Sequence, residues 1–216
     1  RGDSDTEVVL AAYERWGKDC LERFIGMFTF AIWDTGEKHL FCARDRLGVK
    51  PFHYVHHAGR FLFASEVKAL LAVGIPAEPD EESWSLYLTH GVYELPGRSF
   101  FSSVKTLPAA HAMTVSADGT QRQWRYWDLA KRAAEPFDAD DDTAADVVRE
   151  LLEDSVRLRL RADVPVGVML SGGLDSAAVM TTVDRLLPQG GEIETFTGVF
   201  GDPRYDEDDF SDRVPR

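Results

Sequence analysis

The chain has 216 residues, room for one large or two small domains, and its 44% hydrophobic and 28% charged composition is that of a globular protein rather than a disordered or fibrous one. A net charge of −13 excludes nucleic-acid binding through a generally basic surface. No apolar stretch approaches the length of a membrane span, so no membrane partner is expected, and two cysteines without zinc-like spacing suit a reducing cytoplasm.

In chain order, Ser4-Asp5-Thr6-Glu7 reads as a capping box opening a helix that Gly17 stops. Met27 to Trp33 is a strand, and a turn at Asp34-Thr35-Gly36 leads to a second from Lys38 to Ala43. Residues Arg44 to Pro51 form a loop. A second hairpin, Phe52 to Val55 and Phe61 to Ala64, follows through Gly59, then a short helix from Ser65 to Leu71. Glu81 to Thr89 is helical, Pro96, Gly97 and Pro108 mark loops, and Ala112 to Val115 pairs with Gln121 to Trp127 about Asp118-Gly119. Residues 130–142, rich in Ala, Pro and Asp, are the linker. Beyond them the grammar changes to a helix from Thr143 to Arg161, a strand, a glycine turn, a helix and a strand from Ile193 to Phe200, an order that implies a parallel sheet. The fold class is therefore α+β with antiparallel sheets, followed by the start of an α/β domain.

The glycine turn carries the most chemistry. Val164, Val166, Val168, Met169 and Leu170 predict a strand buried on both faces. Gly172 and Gly173 allow a tight turn and the close approach of a ligand. The helix from Leu174 to Leu187 then aims its free N–H groups and positive dipole end at that turn, an arrangement suited to phosphate or pyrophosphate. No Gly-Lys-Ser/Thr follows, so this is not a Walker A loop. A plain strand–glycine–helix turn would also place glycines here, but not both serines and the Asp. The wording Ser171-Gly172-Gly173-Leu174-Asp175-Ser176 resembles the pyrophosphate loop of the ATP pyrophosphatase superfamily.

Several segments in order resemble the glutamine-hydrolysing asparagine synthetases. They are Ser4 to Val8, Gly26 to Asp34, Ala43 to Pro51, Ala64 to Leu70, Tyr126-Trp127-Asp128 and the Ser171–Ser176 loop. Any one recurs elsewhere; their union is specific. The resemblance implies residues 1–129 as the later part of an N-terminal-nucleophile αββα glutaminase domain and residues 143–216 as the start of an ATP pyrophosphatase-type domain. It implies glutamine, aspartate and ATP as substrates, Mg2+ as cofactor, a cytoplasmic location, and is compatible with a homodimer. Glutamine hydrolysis would supply ammonia, and ATP would adenylate the aspartate side chain, giving asparagine, AMP and pyrophosphate.

By the same resemblance, Asp5 holds the α-amino group of glutamine, although a helix-start Asp also simply suits the dipole. Leu170, Ser171, Gly172, Gly173, Leu174, Asp175 and Ser176 hold the nucleotide and pyrophosphate, Asp175 is the magnesium ligand, and Gly198 is a weak nucleotide contact. The family's nucleophilic cysteine lies upstream of Arg1, so no glutaminase catalytic residue is expected here, and the chain reads as an internal fragment. Cys20 and Cys42 are read as ordinary buried thiols. Arg44 and Asp45 either pair across their turn or lie near the glutamine site. The histidines read as surface or strand residues, and Trp124, Tyr126 and Trp127 as interdomain packing. The acidic clusters Asp138 to Asp142 and Asp206 to Asp209 read as solvated linker or helix start rather than metal sites. A β-lactam-synthetase-like cyclase without glutaminase activity, or a non-catalytic nucleotide-binding relative, remains an alternative.

Overall fold

The computed structural model describes residues 4–171, 173–188, 191–199 and 201, which form two compact units dividing between Glu135 and Pro136. Among the described residues no helix is long and apolar enough to cross a membrane.

The first unit begins with α1 (Asp5–Trp16), capped by Ser4, whose Oγ accepts from the Thr6 N–H at 3.2 Å. Gly17, at φ +56°, ends α1 as expected, but the chain then continues as a 3₁₀ helix (Gly17–Arg23) that buries Cys20 and Leu21. Seven residues in 3₁₀ geometry carry no 3.6-residue repeat, so the hydropathy pattern gave no sign of it.

β1 (Thr29–Asp34) and β2 (His39–Arg44) form an antiparallel hairpin with Ile32 opposite Phe41. Its turn is fixed by Asp34 Oδ1, which accepts from the Gly36 and Glu37 N–H groups, both at 2.9 Å. β3 (His53–His57) and β4 (Arg60–Ala64) form the second hairpin, and α2 (Val67–Ala72) and α3 (Glu81–His90) follow. A two-residue strand, β5 (Lys105–Thr106), adds to β3. β6 (His111–Ser116) and β7 (Gln121–Arg125) complete the first sheet, and α4 (Leu129–Ala133) overlaps the start of what reads as linker. The sheets run β1-β2-β6-β7 and β4-β3-β5, antiparallel throughout.

The two-residue side-chain period sorts this unit into layers. Phe41, Ala43 and Ala112 face α1 and the 3₁₀ helix, with Ala12, Cys20 and Leu21. Their neighbours Cys42, Met113 and Val115 face the second sheet and meet Phe52 and Tyr54. The far side of the second sheet, through Val55, packs on Leu70 of α2 with Ile75 and Val104. Helix, sheet, sheet and helix thus stack through three cores, and both cysteines are wholly buried free thiols.

One loop connects these layers. Arg44 and Asp45 are only 4% and 1% exposed, and of their two readings the pairing across the turn is not what holds them: their bonds go to backbone groups and, for Arg44, also to Glu94. Arg44 donates from Nε to the Lys50 carbonyl at 2.8 Å, from Nη1 to the Leu107 carbonyl at 2.9 Å, and from Nη2 to the Gly48 carbonyl and to Glu94 Oε1. The Asp45 carboxylate accepts from the N–H groups of Leu47 at 3.2 Å, Val49 at 3.0 Å and Lys50 at 2.9 Å. Gly48 sits at φ +68°, and a Cβ there would come within 3.0 Å of Ala109 Cβ and 3.1 Å of Arg44 Cζ. Glycine is required on both counts.

The second unit holds α5 (Asp141–Arg159), β8 (Gly167–Met169), α6 (Leu174–Leu186) and β9 (Glu194–Phe196), with β8 and β9 parallel. Asp140 caps α5 through the Thr143 N–H at 2.8 Å, so part of the acidic cluster is a helix start. Val156, Val168, Leu170, Met180 and Val183 form the core. The anticipated burial of the first strand on both faces is not observed. Val164 lies before the strand at 71% exposure, and Met169 is 72% exposed, because α5 and α6 cover one face only of the two described strands. The last strand is shorter than the predicted Ile193 to Phe200, and Phe200 and Asp206 to Asp209 lie outside the described residues.

Two outcomes follow from this packing. Burial pushes the Cys42 thiol up to about 12 and raises that of Cys20. Iodoacetamide near pH 8 should therefore leave both unlabelled in the native protein and label both in denaturant. Native labelling at either site would contradict the packing. Asp45→Asn should cost about 3 kcal/mol in urea unfolding, since an amide cannot accept three N–H bonds as a carboxylate does. A loss below about 1 kcal/mol would mean that the loop is held by other groups.

Candidate functional site

In the second unit the Ser171–Ser176 turn lies at the carboxyl ends of two parallel strands, where open α/β sheets bind ligands. Gly172 lies outside the described residues. Ser171 Oγ and Ser176 Oγ are 3.1 Å apart, and Ser176 Oγ donates to the Gly173 carbonyl, also at 3.1 Å. The Ser171 N–H reaches Ser176 Oγ at 3.3 Å. Gly173 is the N-cap of α6 and offers no side chain to its first turn. The positive end of the helix is thus left to solvent.

Gly173 has φ −72°, which any residue adopts, and a Cβ there would meet only Ser171 Oγ at 3.4 Å. The positive φ that a glycine pair suggests is absent at this residue. Neither backbone geometry nor internal packing demands glycine, so the space it leaves opens outward. Leu174 is 86% exposed beside it, and Asp175 stands exposed in the first turn. Leu170 has its N–H on the Phe196 carbonyl and its carbonyl on Thr197 Oγ1, both at 2.9 Å. These bonds tie the loop to the end of β9, where Gly198 is exposed. Asp175 and Ser176 also border a cavity of about 370 Å3 with Arg159, Val168 and Met169.

The residues present fit a phosphate chain and its magnesium in one specific way. Among the described residues no group of three His, Cys, Asp or Glu could hold a metal. Asp175 is a single carboxylate, and Mg2+ is commonly held by one or two carboxylates together with substrate phosphates. By itself Asp175 would hold such an ion only together with ligands from a bound phosphate chain.

In the first unit Asp5 lines a cavity of about 330 Å3 between α1 and the outer edge of β1. Its walls are Thr6, Val9, Leu10, residues 27–32 and Lys50. Lys50 was not anticipated as part of this site. Asp45 holds its N–H and Arg44 its carbonyl, so the buried charges of the 44–50 loop set its position. Only the third dimension brings it to Asp5, forty-five residues away in sequence; both residues then line one cavity.

The remaining candidates are structural in their contacts. His56 Nε2 bonds Gln121 Oε1 at 2.9 Å, and His53 Nδ1 bonds Thr106 Oγ1 at 3.1 Å. Trp124 stacks on Phe41, the Tyr126 hydroxyl donates to the Arg44 carbonyl at 2.8 Å, and Arg46 lies over Trp127. These aromatic contacts fall within the first unit. Tyr13 donates to Asp34 Oδ2 at 2.9 Å, fastening α1 to the β1–β2 turn.

Comparison with known proteins supplies the family. The glutamine amidotransferase domain family matches residues 1–127, and the asparagine synthase family matches residues 147–216. The chain is 46% identical over 177 residues to asparagine synthetase [glutamine-hydrolyzing] 3 of Bacillus subtilis, covering 82% of this chain and 28% of that protein. It is 36% identical over 208 residues to putative asparagine synthetase [glutamine-hydrolyzing] 2 of Methanocaldococcus jannaschii, covering 94% of this chain and 39% of that one. Amidase chry2 of Gibberella zeae is 35% identical over 92% of this chain and 29% of its own length. The chain therefore spans well under half the length of these relatives. A solved structure, the glutamine phosphoribosylpyrophosphate amidotransferase from B. subtilis complexed with ADP and GMP, superposes at a TM-score of 0.42 with 16% identity, over 92% of this chain and 40% of that one. With residues 1–127 matched throughout, the chain belongs to the glutamine amidotransferase domain family, and a segment similar to asparagine synthase follows in the same polypeptide.

Proposed function

We propose that the full-length protein carrying this chain makes asparagine from aspartate, with glutamine as nitrogen donor and ATP as the activating substrate. In this reading residues 1–129 belong to an N-terminal-nucleophile glutaminase domain, 130–142 link, and 143–216 open an ATP pyrophosphatase-type domain. The observation that carries it is a Ser-Gly-Gly-Leu-Asp-Ser turn at the carboxyl end of a parallel strand, following an amidotransferase segment in one chain. The reducing environment suited to two buried free thiols supports a cytoplasmic enzyme.

At the loop, an aspartate carboxylate oxygen attacks the α-phosphorus of ATP and the bond to the β-phosphate breaks, releasing pyrophosphate. The chain's contribution is electrostatic. The uncapped N–H groups of α6 and the Ser171 and Ser176 hydroxyls take up charge on the departing pyrophosphate. Asp175 would hold Mg2+, which when bound would offset the negative charge of the phosphates. Gly173 leaves room for the phosphate oxygens to approach the backbone. The Thr197 hydroxyl, by holding the Leu170 carbonyl, fixes the loop against the end of β9 and positions Gly198 near the nucleotide.

In the first unit Asp5 receives the α-amino group of glutamine. The support is a cavity lined by both Asp5 and Lys50, residues whose opposite charges suit an amino-acid zwitterion. Asp5 also lies in the first turn of α1, where an acidic side chain suits the helix dipole. Both roles act together.

In the full-length protein, Asp5→Asn should raise the KM for glutamine about 10- to 100-fold, the cost of one charged hydrogen bond, and leave synthesis from free ammonia nearly intact. Equal loss of both activities would make Asp5 a helix-start residue alone. Gly173→Ala should leave the melting temperature unchanged or slightly higher, because its φ suits alanine. It should nevertheless reduce aspartate-dependent ATP–pyrophosphate exchange severely, and Asp175→Asn should reduce it about a hundredfold. Exchange at the wild-type rate in both variants would make the loop structural and overturn the reading.

A further inference from the structure

A second cavity in the first unit, about 320 Å3, lies beneath residues 93–101 and shares no lining residue with the Asp5 cavity. Its floor carries Arg44 and His53, and Tyr93, Glu94, Phe100 and Phe101 supply its walls. Three of the four Arg44 contacts are carbonyls of the fold itself, Lys50, Leu107 and Gly48. The fourth is Glu94 Oε1 at 2.9 Å, from a side chain that is 55% exposed while Arg44 is 4% exposed. A buried guanidinium requires an anion. Here the anion comes from a solvent-facing side chain at the edge of a cavity.

The segment bearing Glu94 is held independently of that contact. Arg98 bonds both carboxylate oxygens of Asp80 at 2.8 Å and also pairs with Glu82. The Phe100 carbonyl accepts from the Asp80 N–H at 2.9 Å and from Trp84 Nε1 at 3.0 Å. Glu94 can therefore leave Arg44 without releasing the chain around it. What takes its place must be a planar anion that fits the guanidinium fork. The aromatic walls call for an apolar body behind that anion, and the volume is at the lower end for small-molecule sites.

We propose that this cavity binds a small organic carboxylate with an apolar or aromatic body, anchored on Arg44, and that Glu94 occupies the carboxylate position when the ligand is absent. Burial depresses the basicity of His53, nearby Arg44 adds to the effect and Glu94 opposes it, while Arg98, which also lines the cavity, is engaged by Asp80 and Glu82. His53 also provides the signal, since it lines the cavity while bonded to Thr106. Glu94 is tethered and competes at a high effective concentration, so the native protein should bind only weakly.

The test uses benzoate and its neutral isostere benzamide, following the His53 ring proton by NMR in the full-length protein. Benzoate should shift that signal saturably in the millimolar range. Glu94→Ala should tighten benzoate at least tenfold and leave benzamide unchanged. Glu94→Gln, which keeps the size of the side chain and loses its charge, should tighten benzoate as well and decides the matter if the alanine variant fails to fold. No saturable shift up to about 50 mM in the native protein and the variants would overturn the proposal. So would benzamide binding as tightly as benzoate, or a variant that binds benzoate no better than the native protein.

Discussion

Taking the Arg44 guanidinium and the Asp45 carboxylate out of water costs several kcal/mol each unless every bond lost to solvent is replaced. Here the replacements are backbone groups drawn from separate parts of the chain. The Asp45 N–H donates to the Phe28 carbonyl, and its carbonyl accepts from Ala110, while Arg44 reaches Leu107 and its own carbonyl takes the Tyr126 hydroxyl. The start of β1, the end of β2, the link from β5 to β6 and the chain beyond β7 therefore meet at two adjacent residues. Neither charge can be neutralised in place without stranding the other's surroundings. The 44–50 loop, and with it the Lys50 wall of the Asp5 cavity, is set by that constraint.

The second unit works by a different economy. Its loop is poor in side-chain contacts, consisting of a glycine N-cap, two serines bonded to one another and an exposed carboxylate. Such a site is shaped by backbone and dipole, and its groups are free to turn toward a ligand. The rigid parts lie behind it. Val168 and Leu170 are buried against α6, and Gly167 lets β9 approach so closely that a Cβ would lie 2.5 Å from the Phe196 ring. An exposed turn and its packed support are thus divided between adjacent stretches of the same strand and loop.

The antiparallel half was largely legible in the sequence because its strands alternate. Phe41 and Ala43 against Cys42 is a two-residue pattern whatever lies on either side. The 3₁₀ helix at Gly17–Arg23 and the two-residue β5 were not legible, being too short to show a period. The turn before α6 falls where the glycines place it, but Val164 and Met169 were misplaced, since an apolar run does not tell which face a neighbour covers. Arg44 with Asp45 looked like an ion pair because adjacent opposite charges usually read that way. The partners of Arg44 include Leu107 and Glu94, sixty-three and fifty residues away, while the Asp45 carboxylate takes the N–H groups of Leu47, Val49 and Lys50 in its own loop. Lys50 was hidden for the same reason; spacing along the chain carries no information about a cavity closed by a distant helix.

The central claim is that the whole protein transfers AMP to the aspartate side chain at the Ser171–Ser176 loop. The most direct measurement supplies aspartate labelled with oxygen-18 in its side-chain carboxylate, with glutamine and ATP, and examines the nucleotide product by mass spectrometry. Attack by the carboxylate on the α-phosphorus leaves one labelled oxygen in AMP once ammonia displaces it, so singly labelled AMP should appear in step with asparagine. Unlabelled AMP, or ADP and inorganic phosphate in its place, would contradict the account.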